Sequence, residues 1–406
     1  MKKFSNKKIV LVRNILVVLC ALIVCVYQFF PPIVVCAEGE GDKNEIEAEL
    51  NETIGYQLSS LDFGEIEKIV AGLSSSETEI FGSSSFASKI GKVISGEFAS
   101  GQSSVFGAIV NLIFDDILQF VPLLASIIAI ICGFVSNLRS ENNSKSIGDI
   151  IHFVCYGVII ILVMSGVVRL IKTASGSIQS IKTQMEVVFP ILLTLMTAIG
   201  ATASVAVYQP AVAFLSSFVM QVLSSVLMPI FIFMIIFTIV SNLTSTVKLD
   251  KFTKFFGSTF KWILGTVFTV FMAFLAIQGI TASSYDGVSI RTAKYAIRSY
   301  VPLLGGYLSE GFDVIMASSM LIKNAVGASG LILMFASIVS PIVQIVVFSL
   351  VLKLASAILE PLTDSRISDF IYSIGKTLSL LVTMIVGIAF MYLITTGLIM
   401  CTANYI

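Results

Sequence analysis

From about residue 112 to the C-terminus the chain is a succession of apolar runs, each about twenty residues or longer, separated by short polar breaks. That pattern leaves few folds open. A run of this length matches the hydrocarbon thickness of a bilayer, and its backbone polar groups must be satisfied within the run, which selects the helix. The runs lie near 112–137, 150–171, 187–207, 211–241, 262–282, 325–352 and 377–400. The expected fold is therefore all-α, a polytopic transmembrane helical bundle of about six to eight spans. Hydrophobic residues make up 56% of the 406 positions and charged residues 12%. A soluble chain of this length could not hide so much apolar side chain in one core, so lipid must solvate much of the surface.

The longest uncertain run, 211–241, holds Pro229 and reads either as one kinked helix or as two shorter pieces. The loops do not arbitrate. As a single span it would leave the loop 242–261, with its four lysines, outside the cytoplasm, against the positive-inside tendency. The side of the C-terminus stays open.

Charge is sorted along the chain. Residues 1–37 carry Lys2, Lys3, Lys7, Lys8 and Arg13 and no acid, followed by the apolar stretch Ile15 to Phe30 and the small-residue sequence Val35-Cys36-Ala37. This reads as a signal peptide cleaved after Ala37, or as an uncleaved anchor. Residues 38–111 form an acidic extracytoplasmic segment, expected to be loose over 38–60 and to form short amphipathic helices near 61–73 and 86–98. Residues 112–406 form the membrane domain. With His152 as the one histidine and no Cys pair at metal spacing, no zinc-type site can be built from one chain, and no metal or cofactor is expected.

Two groups of residues could carry function. Arg291, Lys294 and Arg298 are spaced by three and four, so a helix over about 288–300 would put three cations on one face. Such a face fits lipid phosphates or an acidic partner, or simply anchors a loop. Asp313 and Lys323 flank small and apolar residues, and a charge at bilayer depth is costly unless it faces protein or water. They would face inward and line an aqueous path, or mark the ends of an interfacial helix. There is no Gly-rich phosphate loop with its lysine, no GxSxG, no HExxH and no nucleophile–base pair, so no catalytic residues are assigned and a non-enzymatic role is expected. A short similarity between Phe189-Pro190-Ile191-Leu192 and Val301-Pro302-Leu303-Leu304 is the length that chance supplies in apolar sequence.

The string DGVSIRTAKYAIRSYVPLLGGYLSEGFDVIMASSMLIKNAVG, from Asp286 to Gly327, resembles the stage III sporulation protein AE family. Gln278-Gly279, Tyr208-Gln209-Pro210, Lys353-Leu354 and Glu360-Pro361-Leu362 add to the resemblance, which covers roughly 110–406 and weakens over 38–105. It implies a permease-like subunit of a channel or secretion-like feeding apparatus needed for late forespore gene expression. It also implies a multi-pass place in the mother-cell-derived membrane around the forespore. The implied partners are other stage III sporulation proteins, including a cytoplasmic ATPase and a ring protein between the two membranes, together with membrane lipids, with room for a homo-oligomer of the chain. No nucleic-acid partner is expected. The competing reading is an autonomous ion- or proton-coupled transporter of a small solute.

Overall fold

A computed structural model describes residues 43–73, 75–82, 85–95, 102–138, 145–243, 249–300, 305–361 and 365–402, all of them helix or the connections between helices. The expected signal segment and its cleavage after Ala37 lie outside the described residues. The elements are α1 (Lys43–Ser60), α2 (Gly64–Ala71), α3 (Ser75–Phe81), α4 (Phe86–Ile94), α5 (Gln102–Leu138) and α6 (Lys145–Ala198). They continue with α7 (Thr202–Ala213), α8 (Met220–Val222), α9 (Met228–Leu243), α10 (Asp250–Tyr300), α11 (Gly305–Leu359) and α12 (Ser365–Cys401). Six stretches among the described residues are long and apolar enough to cross a membrane.

Residues 38–60 were expected to be loose, yet Lys43–Ser60 is helical. Four Glu with Ala48, Leu50, Gln57 and Leu58, all good helix formers, lie in this segment. Tertiary contact supplies what its composition lacks: Ile54 is buried, and Ser319 Oγ of α11 donates to Gln57 Oε1 at 3.1 Å. The short helices that follow add Phe63, Ile66, Ile80, Phe81, Phe86 and Ile90 to the core of the bundle. Glu67 Oε1 of α2 accepts from the backbone N–H of Phe86 at 2.8 Å, satisfying a free donor at the start of α4, while Ser85 caps the same helix through Ser88 N–H.

The separate runs 150–171 and 187–207 are not two spans. Lys145–Ala198 is one helix of 54 residues, which carries through the polar stretch between them. It ends in a tight turn at Gly200, whose φ of 86° is the left-handed conformation glycine tolerates. Ala201 N–H donates to Met196 O at 3.0 Å and Gly200 N–H to Thr197 O at 2.9 Å, the paired bonds of a Schellman stop. Ile199 and Ala201 are fully enclosed, so the chain reverses inside protein and not in lipid.

Residues 211–241 belong to one continuous rod, Thr202–Leu243, containing two π-helical segments, Phe214–Val219 and Leu223–Leu227. Pro229 follows the second. Proline has no N–H to give and crowds the carbonyl four residues back, and the widened turn absorbs that misfit without breaking the helix.

The long helices are antiparallel neighbours in sequence order. Along α11 and α12, Ser356 faces Ser368, Ser349 Oγ donates to Gly375 O at 2.6 Å, and Lys323 reaches Thr402. Along α6 and α11, Gly166 lies under the Phe348 ring, Gln184 bonds Ser337, and Gly330 meets Val188. Tyr156 OH donates to Ile239 O, and Phe237 stacks on Phe252 and Phe256, which sets α9 between α6 and α10. The ends of α5, α9 and α11 and the starts of α6, α10 and α12 therefore share one end of the bundle, and the Gly200 turn marks the other. The lysine-rich stretch after Leu243 thus shares its end with the α5–α6 and α11–α12 connections. Merging the 150–171 and 187–207 runs into one helix removes one crossing ahead of this stretch.

Candidate functional site

The most enclosed helix is α11: 78% of its apolar window, Gly311–Leu359, is buried, against 67% for Arg366–Cys401 and 39% or less for the other candidate spans. Along this central helix runs a seam of polar side chains, including Ser319, Lys323, Ser329, Ser337, Ser349 and Ser356, each almost wholly out of solvent. Most of these short hydroxylated side chains give a proton to a carbonyl or bond across to a neighbour, while Ser329 Oγ is buried without a hydrogen-bond partner among the described residues. Ser356 Oγ donates to Ser368 O at 2.9 Å and Ser368 Oγ to Ser356 O at 3.0 Å. Gln184 Nε2 of α6 donates to Ser337 Oγ at 2.8 Å.

Lys323 is fully enclosed. Its Nζ donates to the carbonyl of Thr402 at 2.5 Å, just past the end of α12, where a helix leaves carbonyls without partners and the dipole favours a cation. Thr402 Oγ1 in turn donates to Tyr208 OH of α7 at 3.1 Å. One lysine thus joins the start of α11 to the end of α12, and through Thr402 to α7. Nearby, the Tyr392 ring stacks on Phe189 at 5.2 Å, and its hydroxyl is buried without a hydrogen-bond partner among the described residues.

Lys323 thus lies among α7, α11 and α12. Asp313 is half-buried on the same helix, but ten residues of helix set the two about 15 Å apart, so they are not an ion pair. The helix Asp250–Tyr300 runs through Arg291, Lys294 and Arg298, whose side chains lie outside the described residues, with Thr292 and Tyr295 exposed between them.

Three charged residues escaped the sequence reading. Asp115 and Asp116 lie within the first apolar run, with Asp116 6% exposed. Arg169 of α6 is close enough to act on Asp116 electrostatically, and its guanidinium covers the Phe120 ring at 5.3 Å. The available signal was an adjacent pair of carboxylates near the start of one apolar run and an arginine closing the next. What this interior does chemically is fix helix register: its hydroxyls are spent mainly on backbone carbonyls.

The stage III sporulation protein AE family model matches residues 84–403. The stage III sporulation protein AE of Bacillus subtilis (strain 168) is 24% identical over 315 residues, covering 76% of this chain and 79% of that protein. No solved structure matches. The resemblance carried by Asp286 to Gly327 therefore extends through the whole helical bundle, and the chain is a multi-pass membrane protein belonging to the stage III sporulation protein AE family.

Proposed function

We propose that this protein is a non-enzymatic, permease-like subunit of a channel or secretion-like apparatus linking mother cell and forespore. It would sit in the mother-cell-derived membrane and serve late forespore gene expression. Family membership across residues 84–403 carries the reading. The enclosed hydroxyls of α11 fit a structural role, since they hold neighbouring helices in register. The apparatus would join this chain to a cytoplasmic ATPase and to a ring protein between the membranes. The cationic positions Arg291, Lys294 and Arg298 are offered as the contact face for an acidic partner or lipid phosphate.

The test is affinity purification of the tagged protein from sporulating cells in mild detergent, with the co-purifying proteins identified. Recovery of an ATPase and a ring component is the expected result. Recovery of this protein alone, with normal sporulation in the deletion strain, overturns the reading and favours the solute transporter. Exchange of all three cations for alanine should reduce partner recovery, and unchanged recovery with a normal spore yield would return them to plain anchoring.

A further inference from the structure

The long helices reverse direction at each connection, so the bundle has two ends, and the 6 candidate spans among the described residues carry the chain from one to the other and back. An even number of crossings returns the chain to the end from which α5 set out. Contacts on α11 show the same thing directly. Ser319 Oγ donates to Gln57 Oε1 of α1 at 3.1 Å, and Lys323, one turn further along, donates to Thr402 O just past α12 at 2.5 Å. Thr402 Oγ1 donates to Tyr208 OH of α7 at 3.1 Å, so the Gly200 turn belongs to that end as well. The other end holds the α9–α10 hairpin. Phe237 of α9 stacks on Phe252 and Phe256 of α10 at 5.6 and 5.4 Å, and Ser241 Oγ accepts from Leu249 N–H at 3.1 Å.

Two features of the sequence assign these ends to compartments. The first is the leader. Lys2, Lys3, Lys7, Lys8 and Arg13 precede the apolar stretch Ile15 to Phe30, with no acid among residues 1–37. Such a leader, cleaved or retained, keeps its basic start in the cytoplasm and passes the chain that follows to the other side. The second is the basic residues of the membrane domain. Arg139, Lys145, Lys248, Lys251, Lys254 and Arg366 lie in the sequences that join α5 to α6, α9 to α10 and α11 to α12, or close beside them. At the end that holds Thr402, the turn 199–201 has none, and the approach to the α10–α11 connection has Arg291, Lys294 and Arg298. The heavier basic load marks the cytoplasmic end, and it agrees with the leader.

We propose that the α9–α10 hairpin faces the cytoplasm, and that α1, the Gly200 turn and the end of α12 face the opposite, extracytoplasmic side. From an extracytoplasmic start, three crossings bring the chain to the lysines after Leu243 in the cytoplasm, because Lys145–Ala198 crosses once and not twice. This orientation sets what each compartment meets. The cytoplasmic end offers exposed Lys251, Phe252, Lys254 and Phe255, a basic and aromatic surface. The extracytoplasmic end offers Glu52 and Tyr56 of α1, and it takes in the stretch of α10 that carries Arg291, Lys294 and Arg298. A partner in the cytoplasm would therefore meet the first surface and not that cationic stretch.

Full-length protein with a single cysteine, expressed in protoplasts and treated with a membrane-impermeant maleimide, tests this. Three sites are compared: Cys401, exposed at the end of α12, Glu52→Cys on α1 and Lys254→Cys on α10. Cys401 and Glu52→Cys should label on intact protoplasts, and Lys254→Cys only after permeabilisation. Labelling of Lys254→Cys on intact protoplasts, or of Cys401 only after permeabilisation, overturns the proposal. Glu52→Cys and Cys401 labelling from opposite sides would overturn the shared end itself. An alkaline phosphatase joined after Ile406 gives a second reading with no cysteine exchanged. It is active only outside the cytoplasm, so the fusion should be active, and a full-length but inactive fusion overturns the proposal.

Discussion

Lys323 Nζ lies 2.5 Å from the backbone carbonyl of Thr402, so a fully buried ammonium closes the open end of the neighbouring helix. Two opposing terms act on this lysine. Burying the charge is costly, and so is leaving the Thr402 carbonyl without its donor, at about 1–3 kcal/mol. Lys323→Met removes both the charge and the bond while filling the space, and should stay within about 2 kcal/mol of wild type. Lys323→Ala adds a cavity and should lose about 2–5 kcal/mol. Thermal unfolding of the detergent-solubilised protein ranks the two. A Lys323→Met protein that melts normally but fails to support sporulation would show a role for the ammonium beyond packing.

Two glycines of one helix should respond in opposite directions to the same change. A Cβ built on Gly166 meets Phe348 ring carbons at 2.5 Å, whereas one on Gly176 meets nothing within 4 Å. Gly166→Ala must move a fully buried ring and should cost about 1–3 kcal/mol. Gly176→Ala should stabilise by about 0.5–1 kcal/mol, because alanine orders more cheaply in a helix. Equal melting temperatures for the two variants would show that α6 and α11 do not pack in this register.

Tyr392 carries its hydroxyl into the middle of the bundle, beside Gly330 and stacked with Phe189, without a hydrogen-bond partner among the described residues. Tyr392→Phe keeps the ring and removes the uncompensated polar atom, so it should be neutral or stabilising by about 1–3 kcal/mol. Loss of stability on removing the hydroxyl would mean that it has a partner in the assembled protein. The melting curve of the purified variant decides this.

Apolar run length made the fold class legible, because only a helix satisfies its own backbone in a run of about twenty apolar residues. The same signal blurred the span boundaries. Polar residues such as Lys172, Gln179 and Lys182 read as a loop, but there α6 is apolar on its inner face, with Ala174, Ile178 and Ile181 buried. A window average mixes the two faces. Lys323 stood out as a charge in an apolar setting, which reads equally as an inward-facing group or as the end of an interfacial helix. Its partner could not be read, because a backbone carbonyl beyond the end of α12 has no sequence signature and the contact spans 79 residues. The helical start of the acidic segment was hidden for a related reason: Lys43–Ser60 is held by α11, far along the chain.

The last prediction concerns Lys89, in the small helices outside the membrane spans. Its side chain is 8% exposed, donates to the carbonyl of Phe81, and lies over the Phe81 ring at 4.9 Å. Burial, and secondarily repulsion from Lys92, hold its ammonium below the ordinary lysine value of 10.5. The unfolded chain then binds more protons than the folded one between the lowered value and 10.5, so stability rises with pH across that window. Below it the lysine is charged in both states and the burial penalty is felt in full. Hydrogen exchange of residues 75–95 should therefore show protection, corrected for intrinsic rate, climbing as pH approaches 10.5. Lys89→Met should flatten that climb, while leaving the Phe81 carbonyl without this donor. A profile that is flat in wild type, or equally steep in both proteins, would show that the ammonium is not held out of water between α3 and α4.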